Sequence, residues 1–356
     1  MLIGVCTIIL TIITLIGIYK LNVNIKALLG VIIITCVNIL IMFGDYSSQT
    51  NCEEVWSGKI ISVEHNEEWD EWIHEKGHYD DDGNYHIDEE AHWEHHNASN
   101  YITTSDNGRR YVGCTLDGKK FNDSFVNSNK ELTKYYPIGM PTASIHIYEN
   151  KVQASYSIYK NRDINLDDYE GKLPNYPKCE NGKYSIDRFV GNIPNKEQVL
   201  KDINNLNSTL NDTNNPNNKS KQKSYKQVNV IYVNMGDVSE DYGLALQDYW
   251  KNGNKNDFII SFGSKNNKVT WCHVFSWSEV EILKSEVRDY VLDETNLSNF
   301  SSTIKDTGKM IEDKFVRKQF SDFSYLNIEM SGLAKGLIIV LTIIGGIIIL
   351  NYKEDL

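Results

Sequence analysis

The sequence predicts an α+β chain in which three transmembrane helices flank a β-rich region and an α/β sandwich. Two observations carry this. Met1–Tyr19, Ala27–Gly44 and Gly336–Tyr352 contain no charged residue. At 1.5 Å rise per residue, each is about long enough for a helix to cross a hydrocarbon core of roughly 30 Å. Between the second and third runs lies a long polar stretch that must fold in water, and its hydrophobic period changes along its length. A mean hydropathy of -0.41 for the whole chain conceals this division.

Residues 1–44 are therefore expected to hold two transmembrane helices and residues 334–352 a third. The loop Lys20–Lys26 carries two lysines and no acid, which places it on the cytoplasmic side. The polar region then lies outside, and Lys353 returns to the cytoplasm. Met1–Tyr19 lacks a basic n-region and a small-x-small cleavage site, and a second span follows at once, so it reads as a retained helix. Localisation is thus expected to be multi-pass in an inner membrane, with the soluble part extracytoplasmic and the lipid bilayer as first partner.

The chain has 48 acids and 36 bases, and all but two of the acids fall outside the spans and their flanks. Such a surface repels phosphate backbones, which excludes nucleic acid as a partner. Cys6 and Cys36 lie in the spans. Cys52, Cys114, Cys179 and Cys272 have no CxxC spacing, and either two disulfides or free thiols fit them.

Residues 45–193 read as β-rich. Val55–Val63, Ala143–Tyr148 and Val152–Tyr159 are β-branched and aromatic with partial alternation. Asp106-Asn107-Gly108 and Asp117-Gly118 are hairpin signals on either side of Tyr111–Thr115. Residues 194–227 are expected to be a helix and an Asn-rich linker, because Asn204–Lys223 offers almost nothing to bury. Residues 228–330 change period. Strands are expected at Val228–Val233, Asp257–Phe262 and Val269–Phe275. Helices are expected at Ser239–Trp250 (Ser239 as N-cap), Ser276–Val291 and Ser302–Phe320. That order makes an α/β sandwich.

Candidate chemistry is concentrated in residues 64–96, an acidic, His-rich excursion. Seven of the nine histidines lie between His65 and His96, and Glu64–Glu94 has thirteen acids and one lysine. Imidazoles suit zinc-like ions and carboxylates calcium-like ones, so a divalent metal (zinc or calcium) is the one cofactor worth considering. His74-Glu75-Lys76-Gly77-His78 is a literal HExxH, which on a helix sets two imidazoles on one face with the glutamate beside a metal-bound water. Gly77 and Asp80-Asp81-Asp82-Gly83 argue against a long helix there, and Asp82-Gly83 is better read as a hairpin turn. His78-x-Asp80-x-Asp82-Gly83 with Glu89 also imitates an EF-hand loop that lacks its first aspartate. Asp88 is placed to cap a short helix carrying His92, His95 and His96, which with His74 and His78 would make a five-imidazole metal site. The bland reading is a solvated polar face with Trp93 tucked inward and Trp69 and Trp72 buried. Cys272 and His273 are neighbours on a strand, so they point to opposite faces and cannot form a nucleophile–base pair.

From Val228 to Phe323 the chain resembles the TPM domain, a small membrane-tethered α/β fold. The likeness rests on Asn234-Met235-Gly236-Asp237, Tyr242–Trp250, Asn252–Ile260 and Phe315–Phe323. Some TPM members are described as phosphatases or calcium binders and others as assembly factors. The family's acidic site has no residue-by-residue match here, although Asp237, Glu240 and Asp241 are loop acids at a strand end. The whole chain, through Glu67–Ile73, Pro141–Ser144, Val152–Lys160 and Trp271–Ser278, resembles a family of membrane proteins carried by large tailed bacteriophages. Together these imply a membrane-anchored, non-enzymatic ectodomain that binds or organises a host envelope or membrane protein. The alternative is a metal-dependent hydrolase, acting through His74, Glu75 and His78 or through a phosphatase-like TPM site.

Overall fold

The computed structural model describes residues 2–21, 23–112, 115–116, 119–120, 126, 128–151, 164–178, 186–212, 226–318 and 325–351. The chain divides into two compact units. Unit 1 is residues 1–52, 147–160 and 319–356, and unit 2 is residues 53–146 and 161–318.

Unit 1 contains helices α1 (Leu2–Leu21), α2 (Ala27–Thr50) and a C-terminal helix (Gly332–Asn351), all long and apolar enough to cross a membrane. Their outer faces are Ile, Leu and Val, as a lipid-facing surface requires. Their inner faces carry small and hydroxylated residues. Asn38 donates to Thr342 Oγ1 at 3.1 Å, and the Thr7 and Thr35 hydroxyls meet at 3.2 Å. A Cβ at Gly345 would stand 2.2 Å from Ile34 Cδ1, so a larger residue there would displace the Ile34 side chain that packs against it. The second helix runs six residues past the expected end at Gly44. Beyond the apolar stretch, Asp45 accepts from the Ser331 backbone N–H at 2.9 Å at the start of the C-terminal helix.

Unit 2 contains two four-stranded sheets. The first has the order β10-β1-β6-β7, built from β1 (Asn51–Asn66), β6 (Ser99–Thr104), β7 (Gly108–Tyr111) and β10 (Pro141–Glu149). The Asp106-Asn107-Gly108 turn joins β6 to β7 as expected, with Gly108 at φ 67°. Helix α3 (Asn129–Tyr135), N-capped by Ser128, closes a core of Ile60, Ile102, Val112, Leu132 and Tyr136. The short strands β8 (Thr115–Leu116) and β9 (Lys119–Lys120) pair antiparallel. The expected turn between them at Asp117-Gly118 and the expected strand Val152–Tyr159 lie outside the described residues, as do Cys114 and Cys179.

The second sheet has the order β11-β12-β13-β14: β11 (Phe189–Val190), β12 (Asn229–Gly236), β13 (Asp257–Lys265) and β14 (Lys268–Ser276). The first three are parallel, and β14 returns antiparallel to β13. Alternation sorts its two faces. Val230, Tyr232, Phe258, Ile260 and Cys272 pack under helices α4 (Lys196–Leu210), α6 (Glu281–Glu294) and α7 (Phe300–Lys314). Ile231, Val233, Ile259 and Phe275 pack under α5 (Asp241–Tyr249). Every strand and helix expected after Val228 is present, but α6 begins at Glu281 rather than Ser276 and α7 ends at Lys314, short of the expected Phe320. Ser239 is not the cap of α5, however: Glu240 occupies that position and makes no side-chain cap bond. The C-terminal helix of unit 1 is α8.

Two expectations are corrected. Phe189–Val190 belongs to the second sheet, not to the β-rich region, because β11 pairs with Tyr232 and Val233. Asn204–Leu210 is not linker but the end of α4, and its asparagines are structural. Asn207 accepts from Val230 N–H at 2.7 Å and donates to Val230 C=O at 3.2 Å. One helical turn on, Asn211 does the same for Val228, at 2.9 and 2.8 Å. Side-chain amides thus take the place of a neighbouring strand along the first half of β12, where β11 does not reach. Unpaired backbone groups there would be buried, and each would cost on the order of 1–3 kcal/mol. Asn207→Ala should accordingly lower the unfolding free energy by about 2–4 kcal/mol, while Asn205→Ala on the exposed face should change it by less than about 0.5 kcal/mol. Urea unfolding in detergent micelles checks both.

Candidate functional site

Between β1 and β6 the chain makes one long excursion, and all of it is extended. Beyond Asn66 and Ser99, β2 (Trp69–Ile73) pairs with β5 (His92–His96), and β3 (Lys76–Tyr79) pairs with β4 (Tyr85–Glu89). The tip is the turn at Asp80–Asn84, where Asp80 accepts from the backbone N–H groups of Asp82 at 3.0 Å and Asn84 at 2.8 Å. The result is a two-stranded arm roughly 40 Å long at about 3.3 Å per residue. Its strands pack chiefly on each other.

Neither of the helices weighed for this stretch forms, and the hairpin preferred over the first of them does. His74 and Glu75 sit in the joint between β2 and β3, and His78 lies on β3. With side chains alternating at period two, the one-turn spacing that makes HExxH a metal-binding face does not arise. His92, His95 and His96 lie on β5, not on a helix capped by Asp88. The turn at Asp82-Gly83 is the expected hairpin.

The aromatic residues are corrected too. Trp69, Trp72 and Trp93 are 54%, 41% and 66% exposed, so none is tucked inward. Trp72 and Trp93 face each other across the strands with ring centroids 5.2 Å apart, and Trp69 stacks on His96 at 4.3 Å. Tyr79 and Tyr85 form a third cross-strand pair at 5.0 Å. In an isolated ribbon there is no second layer to bury against, and cross-strand contact is all the packing these rings obtain.

Most of the histidines are held by acids. His78 Nδ1–H donates to Asp88 at 2.9 Å, His86 Nε2–H to Asp80 at 2.8 Å, and His95 Nδ1–H to Asp70 at 2.7 Å. His96 Nε2 lies 3.3 Å from Glu71, and His92 Nδ1–H donates to the Glu90 carbonyl at 2.9 Å. Hydrogen bonds from His86 and from the Asn84 backbone hold the Asp80 carboxyl below its ordinary range. Among the described residues, no three His, Cys, Asp or Glu side chains converge where a metal ion could sit. The structure does not bring His74, His78, His92, His95 and His96 together. Sequence reading passed over His86, the direct cross-strand partner of His78. The available signal was the repeated His-x-Asp of His78-x-Asp80 and His86-x-Asp88 on either side of the turn.

A second polar cluster, also missed, lies at the N-terminal ends of β12 and β13. Asp257 is fully buried and accepts from Tyr176 Oη at 2.9 Å, Asn229 Nδ2 at 2.9 Å and Asn254 N–H at 2.7 Å. Burial raises its pKa to about 7. Arg188, 1% exposed, donates to Asn229 Oδ1 and Asn204 Oδ1 at 2.7 Å each and to Ser57 Oγ at 2.6 Å. With no solvent access, Asp257 cannot reach a substrate, and its part is structural. On β14, Cys272 is buried under α6 and α7, and burial pushes its thiol pKa up. His273 faces α5, bonds Gln247 at 2.7 Å, and is pushed down to about 4 by burial and then by Lys284 and Arg288. The two point apart, as expected. Of the loop acids, Asp237 pairs with Lys265 at 2.7 Å.

The chain matches no family model, no curated protein and no solved structure.

Asp257 and His273 tilt stability with pH in opposite senses. Folded Asp257 keeps a proton that the unfolded chain has released, so its contribution is full below about pH 4 and fades as pH rises through 7. His273 is neutral in the fold where the unfolded chain would be charged, so its contribution is full above about pH 6.5 and is lost as pH falls through 4. Relative to the parent, Asp257→Asn should steepen the gain in stability with rising pH, and His273→Gln should flatten it. Urea midpoints measured between pH 4 and 7.5 decide both.

Proposed function

We propose that this chain is a membrane-anchored binding protein whose acidic, aromatic arm docks a cationic surface on a host envelope component. One observation carries the reading: a two-stranded arm that leaves three tryptophans and two tyrosines in solvent. Water-facing rings in that number, rimmed by acids, have the composition of an interface rather than of a fold element. The excess of acid sets the sign of the partner. The three apolar helices support membrane attachment. On the phage-family likeness the envelope of an infected host is the setting we infer, the lysines of Lys20–Lys26 argue for the arm outside, and the TPM-like reading of residues 228–330 would make the α/β half a tethered assembly module. The hydrolase alternative was to act through a helical HExxH, which these extended residues do not form, or through a phosphatase-like TPM site, for which Asp237, Glu240 and Asp241 remain only acids at the turn from β12 into α5.

A photo-crosslinking residue at Trp93 or Tyr79 should trap one host envelope component in intact cells, and the same residue at exposed Lys305 should not. Equal yields at all three positions, or none, would sink the docking reading. Orientation has its own readout. In a background without native cysteines, Ser48→Cys should react with an impermeant thiol reagent in spheroplasts, and Glu354→Cys should not. The reverse pattern would place the arm in the cytoplasm.

A further inference from the structure

We propose that the tip of the arm is a metal clip, in which His78 and His86 together bind one divalent ion of the zinc, copper or nickel class. The two residues are direct partners across β3 and β4, so both side chains leave the ribbon on the same face. Their rings already lie face to face, with centroids 5.7 Å apart and planes 29° apart. No other histidine of the arm's strands has this arrangement, since His92 faces Ile73, His95 faces Asp70 and His96 faces Trp69.

The proton positions suit the task. A carboxylate only accepts, so the bond to Asp88 puts the His78 proton on Nδ1 and leaves the Nε2 lone pair free. The bond to Asp80 puts the His86 proton on Nε2 and leaves Nδ1 free. A carboxylate behind each imidazole fixes the tautomer and strengthens the ring as a ligand, which is the usual support of a metal-bound histidine. Asp80 is itself tied to the turn by Asn84 and Asp82, so this frame exists before any ion arrives.

An ion about 2.0–2.1 Å from each ring nitrogen needs the two stacked rings to turn about their side-chain bonds until His78 Nε2 and His86 Nδ1 both face it. Both side chains are more than half exposed and free to do so. Two neutral nitrogens select borderline ions over calcium, which prefers oxygen. Water fills the remaining positions. Gly77 belongs to the same design. It stands beside the bulge that sets the register of His78 opposite His86, and a Cβ there would meet the His86 carbonyl at 2.3 Å. An ion held by both strands would bind only the closed ribbon and would stiffen a tip that has no core of its own.

The test is zinc titration of the full chain in detergent micelles, against a chromophoric chelator and with far-UV circular dichroism as the folding control. One zinc per chain should bind. His78→Ala and His86→Ala should each weaken it by at least a hundredfold, while Asp88→Asn should weaken it about tenfold. His74→Ala and His92→Ala should leave it unchanged. Absence of zinc binding, binding indifferent to His78 and His86, or equal loss with His74→Ala would each overturn the clip. These outcomes do not depend on whether the arm finds an envelope partner.

Discussion

Arg188 and Asp257, joined through the side-chain amide of Asn229, hold unit 2 together. Neither group has solvent; burial holds Asp257 protonated up to about pH 7, and the Arg188 guanidinium, left unpaired, would cost several kcal/mol. The cost is met by sharing: one amide accepts from the guanidinium at 2.7 Å and donates to the carboxyl at 2.9 Å. Arg188 also reaches Ser57 on β1 and Asn204 on α4, so one side chain ties the first sheet, the second sheet and the helix between them. Around it, Glu54 meets Arg317 at 2.7 Å, and Asn256 donates to the Val55 carbonyl at 2.7 Å. The two sheets thus meet through specified polar contacts as well as apolar ones. This is why they form one compact unit although the sequence between them is mostly polar.

How much of this was legible in the sequence follows from which forces are local. The three apolar helices and the strands and helices after Val228 are written in short-range hydrophobic period, and each is found there, with ends shifted by a few residues. The asparagines of α4 were misread because their composition resembles a linker. Their role shows only when Val228 and Val230 are brought beside them. The arm was misread for the opposite reason. His74 and His78 stand at a helical spacing, but the ribbon imposes a period of two. The pairing that matters joins residues eight apart, across the turn. Tryptophans that composition would bury stay in water because the arm has nothing to bury them against.

The three long apolar helices carry their polarity on the inside. Thr14, Asn38 and Thr342 are buried where the helices meet, and Thr14 and Thr342 also bond the carbonyl four residues back. That bond satisfies the hydroxyl within its own helix, so a threonine adds little cost in hydrocarbon and frees its methyl for packing. Asn38 has no such local partner and relies on Thr342 across the interface. It therefore couples α2 to α8 at the level of Thr342.

The mirrored His-x-Asp pairs bear on which changes of length the arm can absorb. Along an extended strand each added residue turns the next side chain to the opposite face. One residue inserted between Tyr85 and His86 would turn His86 and Asp88 to the tyrosine side, whereas one inserted at the tip, between Asp80 and Asn84, lengthens the turn and leaves both faces as they are. Length is thus free at the tip and bound by parity within the strands.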